Sequence, residues 1–383
     1  MRLLKLIVAS VGLTLIFTAS SFCQKGKIQF ETTKLSDHAY ILTRTWGAPH
    51  QKSNIGVVIG EKGLAIINAS FFKGEVEQVL GAFRKISPKP IKWVINSNWD
   101  MYNVASNQYF KNKDVTIISQ ENVAYQNNAY TQLTFKDKFS LNVGTETIVA
   151  YRSYGHSFGH INIHLVNANA TFMSDSYRSQ WMTTTGPYGL KGHFKGIDMA
   201  LAMGNQHTKY IPGNTTQKIV CDKDDLIKEK KRRSAFSRRV LQLKKLRKLN
   251  KEILADTKII SILKEYPLYP YIIKEIGDWV INPLFFDEQA KKHILSQKQL
   301  EKYVGTYSCA GKNDVEVFIK DGELFSRSVG QFYVKSVPTS TTHFWYERED
   351  LSLHQVFKMD SANHVTGFTI KHNDQTLTYV RKP

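Results

Sequence analysis

The chain has 383 residues, 42% of them hydrophobic, which is enough to bury one large core and a smaller second one. Its 52 Lys and Arg against 33 Asp and Glu give a formal net charge of +19, but twelve of the cations fall between residues 228 and 251 beside Glu229 alone. One segment therefore carries +11 and the rest only +8, with no aromatic interleaving, which argues against nucleic acid as a partner. Three cysteines are too few for a disulfide framework.

Arg2 and Lys5 open the chain, Leu6 to Ala19 is an apolar run, and Ser21-Phe22-Cys23 precedes Gln24. That is the pattern of a secretory signal peptide over 1–23, with cleavage near Cys23/Gln24 and an exported, periplasmic or extracellular product. The run is shorter than the about 20 residues a span needs, so no transmembrane segment is expected in the mature chain. Phe22 is bulky where a small residue is wanted, which disfavours lipid anchoring at Cys23. Cys221 and Cys309 are expected as two buried free thiols.

From Ile28, short β-rich runs at Ala39 to Arg44, Asn54 to Ile59 and Leu64 to Asn68 include a hairpin turned by Glu61-Lys62-Gly63. Gly74 to Lys85 has helical spacing, and Ile91 to Asn96 and Val115 to Ser119 read as buried strands. Phe139 to Tyr151, His160 to Val166 and Thr171 to Met173 read as further strands. Asp224 to about Ala255 predicts one long helix, with Phe236, Val240, Leu243, Leu246, Leu249 and Ile253 as an apolar stripe under a basic face. Ile259, Ile260 and Leu263 suggest a shorter helix. After about Leu295, seven strand-like runs between Val315 and Arg381 alternate with turns such as Lys320-Asp321-Gly322. The domains are therefore 24–295 and a small all-β domain, 296–383, closed or strongly curled.

Five landmarks then follow in order: NIGVVIGEKGLAIINAS, VINSNWDMYN, GHSFGHINIHL, TFMSDSY and KYIPGNTT. In this order they resemble the metallo-β-lactamase superfamily, where a His-x-His-x-Asp-His run and later histidines gather two zinc ions. The resemblance implies an α+β fold, an αββα sandwich, over about Ile28 to Ile219. Leu300-x-x-Tyr303-Val304-Gly305-x-Tyr307 resembles a β-rich module appended to some exported β-lactamase-like proteins. The ligand positions carry Asn98, Asp100, Tyr102, Asn103, His156, Asp175 and Asn214. Amides and a phenol are poor zinc ligands at neutral pH, so the second zinc site, at Tyr102, Asn103 and Asn214, reads as lost. Asp100, His156 and Asp175 are the residual set for a single zinc or manganese. The plainer expectation is no cofactor, with His156 hydrogen-bonded to Asp175 and Asp100 solvated.

Other groupings weigh less. Ile161, Ile163 and Leu165 alternate with His160, Asn162 and His164, so those polar residues share a strand face rather than forming a metal cluster. Ser153, Ser157 or Ser174 with His156 and Asp175 would make a nucleophilic triad, but no nucleophile elbow accompanies them. Trp99, Tyr102, Tyr125, Tyr130 and Trp181 offer an aromatic lining for a cleft. Lys230, Lys231, Arg232, Arg233, Arg238, Arg239, Lys244, Lys245, Arg247 and Lys248 offer contact with an anionic surface, or else a solvated face. The expectation is a non-hydrolytic member that binds a small-molecule or macromolecular ligand. The alternative is a hydrolase of an ester, lactam or phosphoester using one metal at Asp100, His156 and Asp175.

Overall fold

The computed structural model describes residues 28–45, 52–69, 73–124, 130–179, 181–185, 188–213, 218–269, 273, 280–281, 293–328, 333–346, 354–372 and 375–383. The expected signal peptide, Cys23, Tyr125 and Asn214 lie outside them, as does the side chain of Tyr102.

Seven strands form the first sheet in sequence order: β1 (Gln29–Lys34), β2 (Ala39–Thr45), β3 (Lys52–Ile59), β4 (Leu64–Ile67), β5 (Ile91–Asn96), β6 (Thr116–Gln120) and β7 (Leu133–Phe135). The first three pairings are antiparallel, as hairpin turns require. From β4 to β7 the strands run parallel, because α1 (Val76–Ile86), then α2 (Met101–Val104) with α3 (Asn107–Phe110), then α4 (Glu121–Ala124), lie in crossovers that return the chain to the same edge. The second sheet holds β8 (Lys138–Asn142), β9 (Thr147–Arg152), β10 (Ile161–Leu165), β11 (Ala170–Ser174) and β12 (Lys209–Pro212). The stretch expected as one strand from Phe139 to Tyr151 is a hairpin, with Val143 N–H donating to the Glu146 carbonyl at 3.0 Å.

Strand alternation builds the layers. Ala65 and Ile67 of β4 point inward to meet Ile161, Ile163, Leu165 and Phe172 from the other sheet. Leu64 and Ile66 point outward to bury Val79 and Phe83 of α1. On the opposite outer face, Met173 and Tyr210 pack against Ile197 and Ala200 of α5 (Gly189–Met203) and Leu226 of α6 (Lys223–Lys245). Helix, sheet, sheet and helix thus stack around three buried seams, the expected αββα order.

The long basic helix is shorter than its stripe predicted. α6 ends at Lys245 and α7 (Asn250–Leu254) begins after a turn, leaving Leu246 and Leu249 exposed while Phe236, Val240, Leu243 and Ile253 are buried. α8 (Thr257–Leu263) follows where the sequence placed a short helix.

Eight strands close the C-terminal barrel, one more than anticipated: β13 (Gly305–Ser308), β14 (Val315–Lys320), β15 (Glu323–Ser328), β16 (Tyr333–Pro338), β17 (His343–Tyr346), β18 (His354–Met359), β19 (Val365–His372) and β20 (Gln375–Arg381). The short β13 pairs with both β14 and β20, and this closes the sheet on itself. Closure removes the exposed edges that a curled sheet would leave. Tyr303, Phe344, Phe357 and Phe368 fill the core.

Sandwich and barrel meet at an aromatic seam. Trp99 stands 5.7 Å from Tyr333, and Phe158 stands 5.3 Å from Phe325, ring centre to ring centre. Lys320 lies 3.9 Å from Glu121 beside it. Neither remaining cysteine is bridged; Cys221 is buried as expected, but Cys309 is only half-buried.

Candidate functional site

The site sits where several strand ends converge. Asn98, Trp99 and Asp100 follow β5, Asn103 lies in α2 (Met101–Val104), His156 lies between β9 and β10, and Asp175 follows β11. Loops beyond the carboxyl ends of parallel strands are the usual place for ligands in such sheets. Here the loop ends are tied together by hydrogen bonds. Ser97 N–H donates to Asn68 Oδ1 at 2.8 Å, Ser97 Oγ to Ser174 Oγ at 2.5 Å, and Ile161 N–H to the Ser97 carbonyl at 2.8 Å. Gly213 N–H donates to the Ser174 carbonyl at 2.8 Å, and Asn54 N–H to the Gly213 carbonyl at 2.9 Å. A β-carbon at 213 would lie 2.5 Å from the Ser174 carbonyl carbon, so only glycine fits there. Ser174 itself takes φ 45°, a left-handed backbone that costs a non-glycine residue about 1 kcal/mol and so must be held by its surroundings.

Asp175 is buried and surrounded by donors. Asn98 Nδ2 reaches its Oδ2 at 2.8 Å, Asn103 Nδ2 at 3.1 Å and Ser174 Oγ at 3.3 Å, while Arg178 Nη2 lies 3.4 Å from Oδ1. Burial alone would raise its pKa. The Arg178 charge, then His156 and the Asn98 amide, outweigh burial and hold the carboxyl well below the usual range. Asn98 Oδ1 is also occupied, accepting from Asp100 N–H at 2.9 Å and Asn103 Nδ2 at 2.7 Å.

His156 does not pair with Asp175 as expected. Its Nε2 lies 2.8 Å from Asp100 Oδ2, so Asp100 is an ion-pair partner with a 23% exposed side chain and not a solvated loop residue. Burial pulls the imidazole pKa down, but the charge and hydrogen bond of Asp100 more than offset this and raise it. The hydroxyl beside the ring is Thr184 Oγ1, 3.3 Å from Nδ1. Ser174 is bonded to Ser97 and Asp175, and the described hydrogen bonds put none of Ser153, Ser157 or Ser174 on His156. Thr184 and Arg178 were missed in the sequence. Arg178 was within reach as a cation three residues beyond Asp175, whereas nothing marked Thr184.

His160 and Asn162 face the helix layer, as the alternation required. Asn162 Nδ2 donates to the Gly196 carbonyl of α5 at 3.0 Å, and His160 Nε2 bonds the Met173 carbonyl at 3.0 Å. Burial, then His156, depresses the His160 pKa to about 4. The aromatic lining is corrected. Trp99 turns to the barrel seam and Tyr130 packs with the outer core near Phe110, leaving Trp181 beside Arg178 at 5.5 Å. Several cations of the basic set are also engaged. Arg233 is fully buried and donates to the Thr183 carbonyl, so it touches no surface. Arg232 pairs with Glu229, Arg239 with Asp256 and Lys230 with Asp198.

The donor set does not suit two zinc ions. The Asn98 and Asn103 amides present N–H groups toward Asp175, and a cation needs lone pairs there. One ion is a closer fit, since ligand atoms of Asp100, His156 and Asp175 lie within 4.8 Å of one another.

Residues 289–380 match a family described as Domain of unknown function (DUF3471). No curated protein matches the chain. Among solved structures it is similar to a metallo-β-lactamase from Pontibacter korlensis, at 17% identity and TM-score 0.47, over 53% of this chain and 98% of that one. It is likewise similar to metallo-β-lactamase IND-7, at 16% identity and TM-score 0.44, over 50% of this chain and 92% of that one. DIM-1 metallo-β-lactamase gives 16% identity and TM-score 0.44, over 53% of this chain and 97% of that one. With its two mixed sheets and helices on both outer faces, the first domain has a metallo-β-lactamase-like fold, followed by a closed β-barrel.

Proposed function

We propose that this chain is an exported, non-hydrolytic member of its fold that binds a small polar ligand at the rim where Asp100, His156, Arg178 and Thr184 meet. The observation that carries this reading is the wiring of Asp175. Amide donors occupy one oxygen of the carboxylate, Oδ2, and the Arg178 guanidinium lies against the other, Oδ1. A divalent ion on the remaining oxygen would face that guanidinium at close range and be repelled. The Asp100–His156 pair and Thr184 then serve as mixed donors and acceptors for a ligand that carries both.

The convergence of Asp100, His156 and Asp175 favours a second reading, one bound zinc or manganese. Such an ion would polarise an ester, lactam or phosphoester and bring the pKa of water toward neutrality. Metal analysis of the purified protein by mass spectrometry separates the two. The expected result is well below one equivalent even after incubation with zinc or manganese, and a melting temperature that a chelator leaves unchanged. Near-stoichiometric metal that falls in His156→Ala would overturn the binding reading in favour of the hydrolase.

A further inference from the structure

The turn between α6 and α7 combines two features that conflict unless something covers it. Leu246 is 68% exposed and Leu249 is 59% exposed, two large apolar side chains within four positions. Around them stand Lys244, Lys245, Arg247, Lys248 and Lys251, five cations in eight residues, of which Lys248 also pairs with Glu252 at 2.7 Å. Cations near a helix C-terminus are favoured by its dipole, which explains Lys244 and Lys245 but not the bare leucines beyond them.

The turn is also stiff. Arg247 adopts φ 58°, its N–H donates to the Lys244 carbonyl at 2.7 Å, and Lys248 N–H donates to the Leu243 carbonyl at 3.1 Å. Those two bonds are the Schellman closure of a helix. Glu252 then accepts from Leu249 N–H at 2.8 Å, fixing the start of α7, and Ile253 is buried below. In the usual closure an apolar residue just past the helix end folds back onto the last turn; here that position is Lys248, and the leucines point outward instead.

We propose that this turn, residues 244–251, is a membrane-contact knuckle that seats Leu246 and Leu249 in the interface of an anionic lipid bilayer while its cations engage the headgroups. Anionic surfaces attract such cations, and leucine gains by leaving water for the acyl boundary. A polyanionic chain such as a polysaccharide would use the charges but gives the leucines nothing to enter. Elsewhere on α6, Lys230, Arg232 and Arg239 are paired with Asp198, Glu229 and Asp256 and Arg233 is buried, while the exposed Lys223, Lys228, Lys231 and Arg238 stand without an exposed leucine beside them, so only this turn joins charge to exposed apolar surface. The site is independent of the rim residues and stands whether or not a metal binds there.

The test is co-sedimentation of the full chain with vesicles of equal phosphatidylglycerol and phosphatidylcholine, against phosphatidylcholine alone. Binding is expected only to the anionic vesicles and should weaken with salt. The double variant Leu246→Ser/Leu249→Ser should bind at least about tenfold more weakly with an unchanged melting curve, because both side chains are already in water. A tryptophan placed by Leu249→Trp should shift its emission to the blue on anionic vesicles. Absence of binding to anionic vesicles, or binding that the double leucine variant leaves intact, would overturn the proposal. Retention on heparin without vesicle binding would reassign the turn to a polyanion and overturn it equally.

Discussion

At the residue scale, the buried histidines set how the fold responds to acid. His160 is buried and its folded pKa of about 4 lies below the ordinary 6.5. Between those values the unfolded chain binds the proton and the folded chain does not, so stability is complete above pH 6.5 and falls as pH drops toward 4. The loss from His160 alone is about 3 kcal/mol at the lower end. His193, pushed down by burial and by Arg233, acts in the same direction. His156 works oppositely. Its raised pKa stabilises the fold below the ordinary value and the benefit is lost as pH rises through the folded one. Urea titrations at a series of pH values should therefore show stability declining from pH 6.5 to 4, with a clearly flatter profile in His160→Gln. An unaltered slope in that variant would remove His160 from the account.

At the element scale, Asp256 joins two helices. Its Oδ1 accepts from Lys258 N–H and Ile259 N–H, each at 3.1 Å, capping α8, while its Oδ2 bonds Arg239 of α6 at 2.5 Å. Replacing an N-cap of this kind costs about 1 kcal/mol, and the lost pairing adds to it. Asp256→Ala should thus lower unfolding stability by about 1–2 kcal/mol in urea; a change too small to measure would mean the cap is idle. Elements with clean periodicity were readable without coordinates, including the Glu61-Lys62-Gly63 hairpin, α1 and seven of the eight barrel strands. α5 was not, because Gly189, Gly192 and Gly196 lower its helix propensity. Packing explains two of those glycines. A β-carbon at Gly196 would lie 2.5 Å from Ser153 Oγ, and one at Gly192 would lie 2.6 Å from the Tyr154 carbonyl. The candidate site divides similarly. Which of the resembled family's ligand positions carry no histidine here was plain from the landmarks. That Asn98 and Asn103 would turn their N–H groups on Asp175, and that His156 would choose Asp100, depends on side-chain placement that no local pattern encodes.

At the scale of the whole molecule, the barrel is seated against the same loop that carries Asn98 and Asp100, through Trp99. Tyr333 is 1% exposed, with rings of Trp99, Phe158 and Phe325 within 5.8 Å of it, centre to centre. Truncating it should cost about 3 kcal/mol and loosen the seam. Calorimetry is expected to give one transition for the parent chain and two for Tyr333→Ala. A single transition at the parent temperature in the variant would show that the domains melt together for another reason. The backbone ties under the rim have a consequence of a different kind. Gly213, Ser174, Asn54 and Ile161 are fastened largely through main-chain groups, so apart from the glycine that position 213 requires, the loops depend little on which side chains decorate them. Side chains at this rim can be exchanged by point changes while the loops that carry them stay in place. The same scaffold is a starting point for engineering, where histidines placed at positions 98, 100 and 103 would arrive in loops already held.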